Sequence, residues 1–490
     1  MNLENLSALD LGELVNKKII SPVEVIEYFE KRINERNSSI NAFTYLNFED
    51  ARSEARLLED KIMHGNYGGK LAGVPVALKD FLPTKKGWPA THGGVKSLQT
   101  IDDADSEFYR AARSLGAIAI GKTNAPSFGF RGTTDNKMFG PTSTPFNTQY
   151  NSGGSSGGSC AAVSDGLVYL AEVGDAGGSG RLPAAWCGCF GYKPSAGLVP
   201  SVCRPDAWTA THPYCCGGPA SRTIKDAAVV LDMMQHYDPR DPLSVPLYSK
   251  NFSDISYKEV SGLRIGVTPN FNLFPWPEDE ITKAIDKAAN CLYALGAYVQ
   301  HVDFKFNVSR EECEQAWLRG ISVDTGIDME LWKTQGYDLA KDHADEVPAD
   351  FIKWSNRAFE STMLDYRKFH DVRTAILDAH LDVFEDVDVI IAPVTGCMPV
   401  MNTDDNDTKG PDEIDDEEVN PLIGFAYTYL ENMTGMPAAS IPIAVGSENR
   451  PIGLQVIGQR YRDEDVFKVA YALEHINPWK YDIPFGRSCK

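Results

Sequence analysis

The chain has 490 residues, 43% hydrophobic and 23% charged, the make-up of an ordinary folded protein and one that excludes wholesale disorder. Its formal net charge of −21 opposes nucleic acid and anionic membrane surfaces, so neither is expected as a partner. Ten cysteines in so long a chain exclude a disulfide scaffold. The opening Met1-Asn-Leu-Glu-Asn-Leu-Ser7 has no basic or apolar leader, and no apolar run approaches the roughly eighteen residues a bilayer span needs. Free thiols in a cytoplasmic protein are therefore expected.

The first segment, residues 1–65, reads as a helical arm. Ser21-Pro22-Val23-Glu24 combines a capping serine, proline at the first helical position and glutamate three residues after the cap. Ile26, Phe29 and Ile33 then fall at helical spacing and predict one buried face. Residues 66–235 are rich in glycine, proline, serine and threonine but contain apolar runs at Ala72–Leu78, Ala117–Ile120 and Val168–Val173. A helix is predicted over Asp105–Leu115, stopped by Gly116. Residues 236–385 continue with a strand at Arg264–Thr268, a helix at Glu280–Leu295, a strand at Ala297–Val302 and a helical stretch from 308. Residues 386–490 supply strands at Val387–Ala392, Ala438–Val445 and Ile452–Ile457, then a helix from Asp463. Strands alternating with helices predict an α/β fold, with a mixed, largely parallel central sheet covered by helices on both faces. Residues 403–418 hold nine acidic residues and predict a solvated loop.

Three glycine-dense segments stand out, the first and third on or just after predicted strands, where ligands collect in such sheets. The first is Gly73-Val-Pro-Val-Ala-Leu-Lys79, a lysine ending an apolar run. The second is Gly153-Gly-Ser155-Ser156-Gly-Gly-Ser159, the third Gly174-Asp175-Ala176-Gly177-Gly178-Ser179-Gly180-Arg181. Amide cleavage needs a hydroxyl that loses its proton, dipoles that hold an oxyanion, and a proton for the leaving nitrogen. Consecutive backbone N–H groups in a glycine turn supply the dipoles, with Ser179 as nucleophile. A lysine serves as base only when neutral, and burial pushes its pKa that way. Ser155 fits between them, although sequence spacing alone does not fix distance in space.

These segments resemble the amidase signature family. The pattern is a lysine after Gly-Val-Pro, a Gly-Gly-Ser-Ser-Gly-Gly loop, and Asp-x-Gly-Gly-Ser-x-Arg-x-Pro-Ala. Further matches include Tyr192-Lys-Pro194, Gly218–Thr223 and Asn432–Pro442, so the similarity runs through most of the chain. The resemblance implies one amidase domain over 1–490 that hydrolyses a carboxamide to an acid and an amine or ammonia, without cofactor or metal. It assigns Lys79 as base, Ser155 as relay after a cis peptide from Gly154, and Ser179 as the acylated nucleophile. The N–H groups of Ala176, Gly177, Gly178 and Ser179 form the implied oxyanion hole. Ser156 reads as structural support through loop hydrogen bonds, with assistance to the proton network as the alternative; Asp175 and Arg181 read as structural support, an internal ion pair bracing the turn, with catalytic acid and substrate clamp as the alternative. The partner is a small-molecule amide, and homodimers are common among similar enzymes. Gly174 and Gly180 depart from the pattern, where threonine and a β-branched residue are usual; this puts the stiffness of the turn and the acyl pocket in question.

Phe128, Phe130, Trp208, Cys313, Trp317 and Tyr427 are candidates for the substrate pocket, with core packing as the alternative. Two other functions remain open: the glutamine-hydrolysing subunit of an amidotransferase, and a non-catalytic amidase-like binding protein. Gly153–Gly157 also fits G-x-S-x-G, but no strand-like run precedes it, as that elbow requires. Cys187, Cys189, Cys203, Cys215 and Cys216 lack paired metal spacing and read as packed thiols. Asp405–Gly410 resembles the start of a calcium loop, but Lys409 stands at a ligand position.

Overall fold

The computed structural model describes residues 2–246 and 251–476. Its centre is a sheet of eleven strands: β1 (Phe43–Leu46), β2 (Pro75–Lys79), β3 (Ile118–Thr123), β4 (Leu170–Asp175), β5 (Phe190–Lys193), β6 (Cys216–Ser221), β7 (Arg264–Val267), β8 (Tyr298–His301), β9 (Val389–Pro393), β10 (Ala438–Val445) and β11 (Pro451–Gly458). Their spatial order is β1-β3-β2-β4-β6-β5-β10-β11-β9-β7-β8. The sheet is mixed, as expected. Its parallel character lies in two blocks, β3-β2-β4 and β9-β7-β8, joined by antiparallel pairings.

Both faces of this sheet are buried, and the strand sequences show why. Along β9, Val389 and Ile391 join one apolar core while Ile390 and Ala392 join the opposite one, the alternation a two-residue repeat imposes. Helices Asp279–Ala294 and Asp463–Ile476 pack into the first core, and Arg310–Thr334 and Met363–Phe384 into the second. No described helix is long and apolar enough to cross a membrane.

Local chemistry sets the helix ends. Ser21 accepts from Val23 N at 3.0 Å while the Glu24 carboxylate accepts from Ser21 N at 2.9 Å, so the helix Pro22–Ile40 starts where the sequence predicts. The helix predicted from Asp105 runs over Glu107–Ser114 with Ser106 as its cap, because the Asp105 carboxylate accepts from Lys86 N instead. Strand β2 starts at Pro75 instead of Ala72, since Gly73 turns the chain at φ +72.

The acidic segment 403–418 is anchored and not simply solvated. Thr408 is buried, with its N–H and hydroxyl both donating to Asp135 Oδ2, and Asp407 pairs with Arg131 at 2.6 Å. Paired ends at Glu413–Ile414 and Glu417–Glu418 close it into a small ribbon.

The β3-β2-β4 block positions the site. Its strands are parallel, so their carboxyl ends share one edge, which brings Lys79, the segment after Thr123 and the turn after Asp175 together.

Candidate active site

Lys79 closes β2 and is 4% exposed. Its Nζ donates to Ser155 Oγ at 2.7 Å. Burial is the largest influence on this amine and lowers its pKa to about 8, against the opposing pull of Cys215, Asp175 and Glu172. The ring of Phe81 lies 5.5 Å from Nζ. Ser155 is buried and follows a cis peptide from Gly154. The loop that carries it is tied down by neighbours: Gly157 N donates to Thr134 Oγ1, and Ser159 Oγ to Glu172 O at 2.7 Å. Ser156 Oγ reaches Gly174 O at 3.3 Å, and Ser156 N donates to Ser179 O at 3.1 Å. Ser179 is thereby docked on the Ser155 loop, and its side of the turn is partly open to solvent. No hydrogen bond joins the hydroxyls of Ser155 and Ser179 among the described residues.

Gly174, one of the departures from the family pattern, stands beside Lys79. A Cβ there would lie 3.9 Å from Lys79 Nζ and meet nothing else within 4 Å. Glycine at this position therefore leaves room beside the amine. At Gly180 a Cβ would press to 2.9 Å from Val173 Cγ2, so close packing on β4 calls for glycine.

The turn 176–179 has every carbonyl spoken for. Trp317 Nε1 donates to Ala176 O at 2.9 Å, Thr428 Oγ1 to Gly177 O at 2.7 Å, Leu182 N to Gly178 O at 2.7 Å, and Ser156 N to Ser179 O. The N–H groups of Ala176, Gly177 and Ser179 donate to no protein acceptor among the described residues. Gly178 corrects the four-donor expectation. Its N–H donates to Asp175 Oδ1 at 2.8 Å, because the carboxylate three residues back lies under the turn. Its φ of +118 suits only glycine, and a Cβ would strike Thr428.

Asp175 and Arg181 form the expected brace, fully buried, at 2.9 Å. Burial alone would raise the Asp175 pKa, but the guanidinium beside it holds the carboxyl well below the usual range. Arg181 uses all five of its donors: two on Asp175, one each on Asn432 Oδ1, Glu431 Oε2 and Gln455 Oε1. Asn432 returns Nδ2 to Asp175 O at 2.9 Å. Thr428, Glu431, Asn432 and Gln455 were not singled out from the sequence, where only the family match at Asn432–Pro442 pointed to this region. Removing one partner of a buried, hydrogen-bonded pair typically costs about 3–5 kcal/mol. Arg181→Met is accordingly expected to lower unfolding stability by that amount in urea; a loss below about 1 kcal/mol would contradict the brace.

Phe128 and Phe130 enter an aromatic wall. Phe128 stacks on Trp332 and Phe351, each at 4.8 Å, and Phe130 meets Trp354 edge-on at 4.7 Å. Trp317 continues the wall to the glycine turn, 6.1 Å from Trp354. Cys313 is fully buried one helical turn before Trp317. Two pocket candidates are placed elsewhere. Tyr427 is core: its hydroxyl donates to Pro275 O at 2.7 Å and its ring stacks on Phe274. Trp208 is 56% exposed on the loop after β5, outside the aromatic wall. Cys187 and Cys189 are fully buried, whereas Cys203 and Cys215 are partly exposed.

Comparison with known proteins defines the class, a hydrolase acting on carbon–nitrogen bonds. The amidase family profile matches residues 24–467. The chain is 30% identical over 481 residues to an acylamidase of Rhodococcus erythropolis, covering 98% of this chain and 97% of that one. It is 31% identical over 496 residues to one of the subunits of the glutamyl-tRNA(Gln) amidotransferase of Alkaliphilus metalliredigens, covering 97% of each. A crystal structure of a bacterial aryl acylamidase of the amidase signature family superposes with a TM-score of 0.95 at 39% identity, over 99% of both chains. This chain belongs to the amidase signature family.

Proposed function

We propose that this amidase works through Lys79, Ser155 and Ser179. Neutral Lys79 takes the Ser155 proton as Ser155 takes that of Ser179, whose Oγ bonds to the amide carbonyl carbon. The oxyanion is held by the N–H groups of Ala176, Gly177 and Ser179, with Gly178 fixing the turn on Asp175. The C–N bond breaks as the proton returns through Ser155 to the leaving nitrogen, and water then cleaves the Ser179 ester. One observation carries this reading: a buried lysine whose pKa falls to about 8 lies 2.7 Å from a serine hydroxyl. In a water-poor site each oxyanion donor contributes about 2.7–4 kcal/mol to lowering the barrier.

For the substrate, we propose an acylamide carrying an aryl group. The aromatic wall beside the turn supports this, as does the similarity to the aryl acylamidase. An apolar face of this kind binds a ring by area and by edge-to-face contact. A panel of anilides, aliphatic amides, peptides and glutamine tests the assignment: anilides are expected to have the highest kcat/KM, and faster turnover of glutamine would overturn it. The rival reading, a glutamine-hydrolysing subunit, draws on the amidotransferase relatives and predicts stable co-purification with a larger protein. Free thiols in all nine described cysteines support a reducing, cytoplasmic setting.

A further inference from the structure

Glu107, His236 and Asp238 bring a carboxylate, an imidazole nitrogen and a second carboxylate together, with one atom of each within 4.8 Å of the others. The amide chemistry uses none of them. Glu107 opens the helix Glu107–Ser114, while His236 and Asp238 follow the end of the helix Ile224–Met234. The two helices pack together and share one apolar core with β2 and β3, to which Phe108, Leu231, Val76 and Ala119 belong. The cluster therefore bridges two elements that the chain connects only through β3, β4, β5 and β6.

The setting of the imidazole is the informative feature. His236 Nδ1 lies 3.1 Å from Met234 O, and a carbonyl only accepts, so Nδ1 carries the hydrogen and Nε2 the lone pair. That nitrogen meets no hydrogen-bond donor among the described residues and lies 3.9 Å from Glu107 Oε2. Ligating histidines are set in this way, one ring nitrogen fixed on a backbone carbonyl and the other left free. His236 is also reachable from solvent, its side chain 43% exposed. Asp238 is buried, and its N–H donates to Ser244 Oγ at 2.9 Å, which fixes the turn that carries it.

Both carboxylates also meet an arginine. Glu107 Oε1 accepts from Arg110, and Asp238 Oδ2 accepts from Arg240 Nη2 at 2.6 Å. These arginine side chains are 46% and 58% exposed, and ion pairs so open to water add little stability, so a divalent cation can compete with them. Each carboxylate oxygen has two lone pairs, and Glu107 Oε2, the oxygen nearer His236, is not the one that holds Arg110.

We infer that Glu107, His236 and Asp238 form a site for one divalent transition cation of the Zn2+ class, held by His236 Nε2 and an oxygen of each carboxylate, with water completing the shell. An imidazole among the ligands favours such an ion over Ca2+ or Mg2+, which take oxygen. Ligand atoms about 2.1 Å from a tetrahedral ion lie about 3.4 Å apart, so side-chain rotation has to close the widest gap by only about 1.5 Å. The bound ion ties the two helices together and has no part in the amide chemistry, so the site stands whichever amide is hydrolysed.

Untagged full-length protein, stripped of metal with a chelator, is titrated with Co2+ and then with Zn2+. One Co2+ per chain is expected, giving visible d–d absorption without a thiolate charge-transfer band, and Zn2+ is expected to displace it. His236→Ala and, separately, Glu107→Gln are expected to raise the Zn2+ Kd at least about ten-fold, the loss already incurred when an outer partner of a ligand is removed. Zn2+ is expected to raise the unfolding temperature of the wild type and to leave that of His236→Ala unchanged, because only a site present in the folded state stabilises by binding. Circular dichroism of the metal-free variants checks that they fold, and Glu107→Gln carries the comparison if His236→Ala does not. No saturable uptake, a thiolate band at the equivalence point, or Zn2+ affinity unchanged by both substitutions would overturn the site and leave His236 an ordinary surface neighbour of Glu107.

Discussion

Ser179→Ala is expected to lower kcat by about a million-fold and to abolish the covalent acyl adduct. The nucleophile cannot be supplied by a neighbour. Ser155 Oγ is buried on Lys79 Nζ at 2.7 Å, and Ser156 Oγ is occupied at Gly174 O. The substitution deletes one partly exposed hydroxyl with no protein partner among the described residues, so the fold and the turn's carbonyl contacts stay in place. Labelling by a fluorophosphonate, followed by peptide mass spectrometry, is expected to modify residue 179 in the wild type and nothing in the variant. Residual turnover above about one per cent of wild type would remove Ser179 from the nucleophile's role.

Lys79→Met is expected to lower kcat/KM by roughly a hundred- to ten-thousand-fold, the range lost with a positioned general base. Methionine nearly matches the length of the lysine stem and places no charge among Leu78, Phe81 and the buried Ser155 loop. Thermal unfolding is therefore expected to match or exceed that of the wild type, because folding no longer has to desolvate an amine. The combination of lost activity and kept stability separates a base from a structural lysine. Retained activity, or a large drop in melting temperature, would contradict that role.

The residues proposed to carry the chemistry are marked in the sequence by glycine. Lys79, Ser155 and Ser179 lie in three glycine-dense segments, those of Lys79 and Ser179 on or just after apolar runs, and parallel pairing in β3-β2-β4 brings the ends of those strands together. What holds them was less legible. Glu431, Asn432 and Gln455 meet Arg181 from 250, 251 and 274 residues away, and in sequence they look like any polar residue of a helix or strand. The diversion of the Gly178 N–H depends on which way the Asp175 carboxylate turns, which spacing does not encode. Trp317 and Tyr427 read alike as aromatics, yet one reaches the oxyanion turn and the other spends its hydroxyl on Pro275. The acidic run at 403–418 reads as solvated because charge dominates it, whereas one buried threonine, Thr408, ties it to Asp135.

The direct test of a neutral lysine base is the rate of acylation as a function of pH, followed in single turnovers with an activated anilide from pH 6 to 10. Lys79 works only after losing its proton, and its pKa is near 8, so the rate is expected to rise about ten-fold per pH unit below that value and level off above it. A rate that stays flat across this range, or falls as pH rises through 8, would contradict the assignment.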